Sequence, residues 1–185
     1  MAICSCKSLA KRVWRLLNMT IPQYYIDLLT HMSVNKNKSK TAPHKAILLL
    51  TIIDMIEAGE ISSPFLQITD SLKYNFKRVW NANVSSRSGY EPRMSYPFFH
   101  LSSSPFWELI KTGSYQGQTE YSSMTSLERD YSGAIIDVSL FRLMKDPISR
   151  DEIRTLLKAA YLDNRGTTSS LIGVATLIAL VCSVA

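Results

Sequence analysis

His44-Lys45, in "TAPHKAILLL" (residues 41–50), sets an imidazole and an ammonium directly ahead of an unbroken apolar run. Pro43 suits the first turn of a helix, where its missing N–H costs no hydrogen bond. The unpaired backbone N–H groups of such a start attract negative charge, and two basic side chains beside them make a seat for an anion. Cationic residues there oppose the helix dipole, which acidic residues would support. The chemistry on offer is anion binding. A plainer alternative has His44 hydrogen-bonding the preceding loop and Lys45 pointing to water, and the segment alone leaves both open.

A second stretch, "SYPFFHLSSSPFWELI" (residues 95–110), concentrates Tyr96, Pro97, Phe98, Phe99, Phe106 and Trp107 around His100, with Glu108 as its one carboxylate. Catalytic constellations are harder to find. His31, His44 and His100 have no cysteine pair nearby, and no His-Glu-x-x-His, Gly-x-Ser-x-Gly or phosphate-loop glycine pattern occurs. None of the 15 carboxylates is followed two residues later by lysine, as a PD-(D/E)xK nuclease requires. The expectation is a chain without its own nuclease site, cofactor or metal. Cys4-Ser-Cys6 has the spacing of half a metal site, but nothing completes four ligands.

Charge is distributed unevenly. Residues 1–100 hold 13 Lys/Arg against 6 Asp/Glu, whereas residues 101–185 hold 8 against 9. The whole excess of +6 therefore lies in the first half, which favours a polyanion, nucleic acid before membrane. Three cysteines, Cys4, Cys6 and Cys182, are too few and too ill-spaced for a disulfide framework. This fits a reducing, cytoplasmic setting. Residues 1–18 form a basic N-terminal extension without the apolar core of a signal peptide. Residues 164–185 form an apolar tail, and Leu171–Ala185 falls short of the roughly 20 residues that span a bilayer. Tail anchoring to a membrane is the alternative this segment keeps open.

The elements between these ends must position the two stretches. Helices are expected over Ile21–Met32, from Pro43 to a stop at Gly59, from Thr69 or Asp70 through Trp80, near Thr125–Tyr131, and over Ser139–Lys145. A last helix follows Asp146-Pro147, with a capping box at Ser149–Glu152. In the third of these, Leu72, Phe76, Val79 and Trp80 form the inner face, while Lys73, Lys77 and Arg78 stay outside as candidate DNA-backbone contacts. "NKNKSKT" reads as a basic loop presenting Lys36, Lys38 and Lys40. The aromatic stretch reads as a β-hairpin, Tyr96–Leu101 and Phe106–Ile110. The fold class is mainly α with one small hairpin, in a winged-helix-like DNA-binding arrangement.

Three segments, "APHKAILLLTIIDMIEAGEI", "YPFFHLSSSPFWELI" and "AIIDVSLFRLMKDPISRDEIRTLLKAAYL", carry a family resemblance. In order and spacing they resemble the N-terminal sulfur-recognition domain of bacterial HNH type IV restriction endonucleases, which act on phosphorothioated DNA. The resemblance spans roughly residues 20–163, so residues 19–163 are taken as the domain. It implies double-stranded, phosphorothioated DNA as partner, and an HNH nuclease module supplied elsewhere, in trans if separately encoded.

A phosphorothioate keeps its unit charge, but its sulfur is larger, more polarizable and a poorer hydrogen-bond acceptor than oxygen. An apolar cup accepts it cheaply, whereas an unsatisfied phosphate oxygen there loses about 1–3 kcal/mol, roughly 5–150-fold in affinity. By resemblance Tyr96 and Pro97 line the cup, His100 stands beside it, His44 and Lys45 lie at its edge, and Arg129 contributes from downstream. Pro105 departs from the family's usual glycine before Phe-Trp, which puts the turn geometry in question.

Overall fold

The computed structural model describes residues 20–33, 36–37 and 40–162. Its centre is α2 (His44–Glu57), of which the stretch from Lys45 to Ile53 is wholly buried. A helix apolar on every side has no solvent face to offer and must be wrapped. Around it pack α3 (Asp70–Asn83), α4 (Ser95–His100), α6 (Val138–Lys145) and α7 (Pro147–Tyr161). The short helix α1 (Gln23–Thr30) lies against α7.

The ends of α2 follow from its sequence. Pro43 stands at the boundary before His44, and at the far end Gly59 takes φ +77°. The Gly59 N–H then donates to the Ile56 carbonyl at 3.1 Å and the Glu60 N–H to that of Met55 at 2.9 Å, closing the helix. On α3, Thr69 is the cap, its hydroxyl accepting from the Leu72 N–H at 3.2 Å. Leu72, Phe76, Val79 and Trp80 face inward, as their spacing requires.

The sheet is three-stranded and antiparallel, in the order β3 (Phe65–Gln67), β5 (Tyr131–Ile136), β4 (Trp107–Lys111). Gly133, in the middle of β5, lies so close to the next strand that a Cβ would meet the Leu66 carbonyl oxygen at 2.4 Å. That position admits only glycine. Between β4 and β5 lies α5 (Met124–Asp130). A separate two-stranded ladder joins β1 (Lys36–Asn37) to β2 (Lys40–Thr41), where a loop was expected. The mainly helical class with a small antiparallel sheet is the one the sequence predicts.

Two expectations are corrected. Tyr96–Leu101 is not the first strand of a hairpin: residues 95–100 are α4, extended by a 3-10 turn over Leu101–Ser103. Buried Met94, Pro97, Phe98 and Leu101 fall at i, i+3, i+4 and i+7, a helical stripe. Pro97 is tolerated because it occupies the first turn. Trp107–Lys111 is a strand, but its partner is β5 rather than the preceding segment. The last helix is capped by Asp146 instead of Ser149. The Asp146 carboxylate accepts both the Ser149 N–H and the Ser149 hydroxyl at 2.8 Å, with Pro147 in the first turn. Glu152 instead accepts the Thr20 N–H, at 2.9 Å.

Arg154 fastens α7 to the core helix, donating to Asp54 at 3.0 Å and to Glu57 at 2.7 Å. Among the described residues no helix is long and apolar enough to cross a membrane. The N-terminal extension 1–18, Lys38 and the tail from residue 164, with Leu171–Ala185, lie outside the described residues.

Candidate nucleic-acid interface

The first turn of α2 and the end of α4 bring one cluster together. Lys45 is 7% exposed, and its ammonium donates to the Ser103 hydroxyl at 3.3 Å. That hydroxyl in turn donates to the His100 carbonyl at 2.8 Å. No carboxylate pairs with Lys45 among the described residues; burial alone pulls its pKa below the usual lysine range. A buried cation normally has a carboxylate beside it. This one has a hydroxyl, and the plain reading in which it points to water does not hold.

His100, exposed at the end of α4, lies parallel to the Tyr96 ring, 15° between planes and 6.4 Å between centroids. Partial burial and the Lys45 charge both depress its pKa, against a smaller pull from Glu120. Tyr96 is half-buried and Pro97 buried. The helical turn sets Tyr96 and His100 on one face by their i, i+4 spacing. Lys45 is thus linked through Ser103 to the end of α4, where the Tyr96 and His100 rings lie side by side, while Pro97 sits on the buried stripe of the same helix.

His44 has another task. Its Nε2 donates to the Glu91 carbonyl at 2.8 Å, and its ring rests on Trp80 at 4.7 Å and Tyr90 at 5.6 Å. The accepting carbonyl requires the proton on Nε2. Burial holds this imidazole below its usual pKa, so it stays neutral and anchors the loop before α4.

Arg129 is one packing layer away. Its Nε donates to Asp130 at 2.7 Å. Asp130, fully buried, also accepts the Tyr121 hydroxyl at 2.7 Å and the Gln116 N–H at 3.3 Å. The Arg129 guanidinium, with these donors, holds the Asp130 carboxyl below the usual range. Tyr121 packs on Phe99 at 4.8 Å, next to His100. Arg129 is therefore tied, through Asp130 and Tyr121, to the aromatic layer that backs α4.

The remaining basic candidates divide. Lys73 is taken by Asp70 at 3.0 Å and by Glu128. Arg78 donates to Asn75 at 3.2 Å and stands 3.9 Å from Asp54. Lys77 is exposed on the same helix. Lys36 and Lys40 belong to the β1–β2 ladder.

A family model described as "ScoMcrA-like, DNA sulfur-binding domain" matches residues 22–174, taking in every helix and strand described above. The chain belongs to the DNA sulfur-binding domain family. No curated protein matches it. Membership makes DNA the partner of this sulfur-binding domain, in keeping with its basic first half. Ser103, Tyr121 and Asp130, which bond to or support the candidate residues, were missed by sequence reasoning. Ser103 reads as turn filler, and the Tyr121–Asp130 bond joins residues nine apart in the chain. The one usable signal was the buried carboxylate beside Arg129, and it shows only after folding.

Proposed function

We propose that this domain reads a phosphorothioate in double-stranded DNA, as the recognition part of a modification-dependent restriction system whose HNH nuclease module is supplied elsewhere. The observation that carries the reading is Lys45, a buried ammonium with no carboxylate partner among the described residues, linked through Ser103 to α4, the helix that bears Tyr96 and Pro97. Among the described residues it has no counter-ion, and a backbone phosphorothioate supplies one. The negative charge meets Lys45 and His100, while the sulfur lies against ring carbon. An oxygen in that place has few donors and keeps its desolvation cost.

Charge and discrimination are thereby divided. Lys45, Arg129 and the further basic residues Lys36, Lys38, Lys40, Lys77 and Arg78 hold the backbone regardless of sequence. Tyr96 and Pro97 supply the preference for sulfur. Lys73, already paired twice, contributes least to the attraction.

The test is a titration of wild type against two duplexes that differ by one stereodefined phosphorothioate. Tighter binding to the sulfur duplex is expected, and Pro97→Ala should abolish the difference while leaving background binding. Because Pro97 is buried, melting curves must accompany the titration. Equal affinity of folded wild type for the two duplexes removes the sulfur reading.

A further inference from the structure

Glu91 and Arg93, on the loop between α3 and α4, form a pair that the reading above leaves without a role. Arg93 Nε and Nη2 both reach one Glu91 oxygen, at 2.8 and 2.7 Å. The two side chains are 52% and 69% exposed. An exposed pair of this kind adds little to folding and exchanges readily for another anion. Its position is nonetheless fixed. The Glu91 carbonyl accepts the His44 Nε2–H at 2.8 Å, which ties the loop to the first turn of α2, one residue from Lys45. Arg93 stands two residues before α4 begins, close to the Tyr96 side chain.

The setting of Glu91 is informative. Between Asp70 and Glu108 it is the only acidic residue, in a span that contains Lys73, Lys77, Arg78, Arg87 and Arg93. The lone carboxylate of a basic stretch thus occupies the guanidinium closest in sequence to the sulfur site. Two of the five guanidinium N–H donors point at one Glu91 oxygen, in the fork geometry that equally suits a phosphate.

We propose that Arg93 is a further DNA-backbone contact of this site, held in place by Glu91 and transferred to a phosphate oxygen when DNA docks. The proposal rests on reading the Lys45 cluster as a DNA-binding surface, and goes beyond it by assigning a latch. On docking, the Arg93–Glu91 pair is replaced by Arg93–phosphate, and Glu91 is left facing DNA with its charge uncompensated. Phosphate and phosphorothioate carry the same charge, so Glu91 weakens both equally. It lowers background binding without changing the ratio, so that occupancy depends on the sulfur contact.

The experiment titrates the full chain with the plain and the phosphorothioate duplex at several salt concentrations, for wild type, Glu91→Gln, Arg93→Ala and the double variant. Glu91→Gln should tighten both duplexes by about 2–5-fold. Arg93→Ala should weaken both and flatten the salt dependence by about one charge. The gain from Glu91→Gln should shrink in the Arg93→Ala background, because there is no pair left to release. Melting temperatures should stay close to wild type in all four proteins. Unchanged or weaker binding by Glu91→Gln overturns the latch, as does a gain of undiminished size without Arg93. The sulfur reading is judged separately, by the ratio of the two duplexes in wild type. Either idea can therefore fail while the other stands.

Discussion

Asp130 and Lys45 are both buried ionisable side chains, and their surroundings differ. Asp130 receives a guanidinium, a phenol hydroxyl and a backbone N–H, so every cost of burying its charge is met within the protein. Lys45 receives one serine hydroxyl. The first arrangement is complete as it stands and fixes the aromatic layer behind α4. On the proposed function, the second is completed by an anion. The difference would then separate a charge that holds the fold from a charge that holds a ligand.

The comparison breaks most visibly if the two residues respond alike to removal. Asp130→Ala leaves the Tyr121 hydroxyl and the Gln116 N–H without their acceptor, and should give the largest loss of melting temperature among the single variants named here. Lys45→Met removes an uncompensated charge and keeps the apolar stem. It should raise the melting temperature by about 2–4 °C, equivalent to about 1 kcal/mol. The same change should weaken both the plain and the sulfur duplex by roughly 10–150-fold, the range for a charge-assisted hydrogen bond of about 1.5–3 kcal/mol. Destabilisation by Lys45→Met with affinity intact would make Lys45 a structural residue like Asp130.

Salt gives the next effect in size. With about four to six phosphates neutralised, the slope of log affinity against log salt should lie near −4 to −5. A flat response would mean that the basic first half serves only solvation.

pH sharpens the comparison, since the two histidines near Lys45 are both held low. Burial depresses His44, and burial plus the Lys45 charge depresses His100. The unfolded chain therefore binds more protons, so stability present above about pH 6.5 should be lost as pH falls through that value toward the depressed folded ones. Binding moves the other way. An anion at the site favours protonated His100, so DNA affinity should rise over the same interval, and His100→Gln should flatten that rise. The smallest effect separates Lys73 from Lys77. Lys73→Met should change DNA affinity by less than about twofold, because its charge is spent on Asp70 and Glu128, whereas Lys77→Met should cost more.

The sequence disclosed most of the helices because their signals are local. Gly59, Thr69 and the stripe from Leu72 to Trp80 are each read within a turn or two. It disclosed the members of the cluster but mistook their scaffold. Tyr96-Pro97 in an aromatic run looks extended, and only the burial of Met94, Pro97, Phe98 and Leu101 on one side reveals a helix. Strand β5 stayed hidden because it begins directly after α5, with no turn residue between Asp130 and Tyr131, and gains its partners from residues 65–67 and 107–111. That Lys45 meets a hydroxyl and no carboxylate among the described residues could not be read at all. A missing partner is a property of three dimensions.

The central claim is that a backbone phosphorothioate fills the place beside Lys45, Tyr96 and Pro97. Phosphorus-31 NMR of a duplex with a single stereodefined phosphorothioate tests it most directly, because that phosphorus resonates apart from the ordinary phosphates. Adding wild-type protein should shift or broaden the phosphorothioate signal more than any phosphate signal, and adding Lys45→Met at the same concentration should leave it nearly unmoved. A phosphorothioate signal that stays in place while the phosphate signals move would contradict the account.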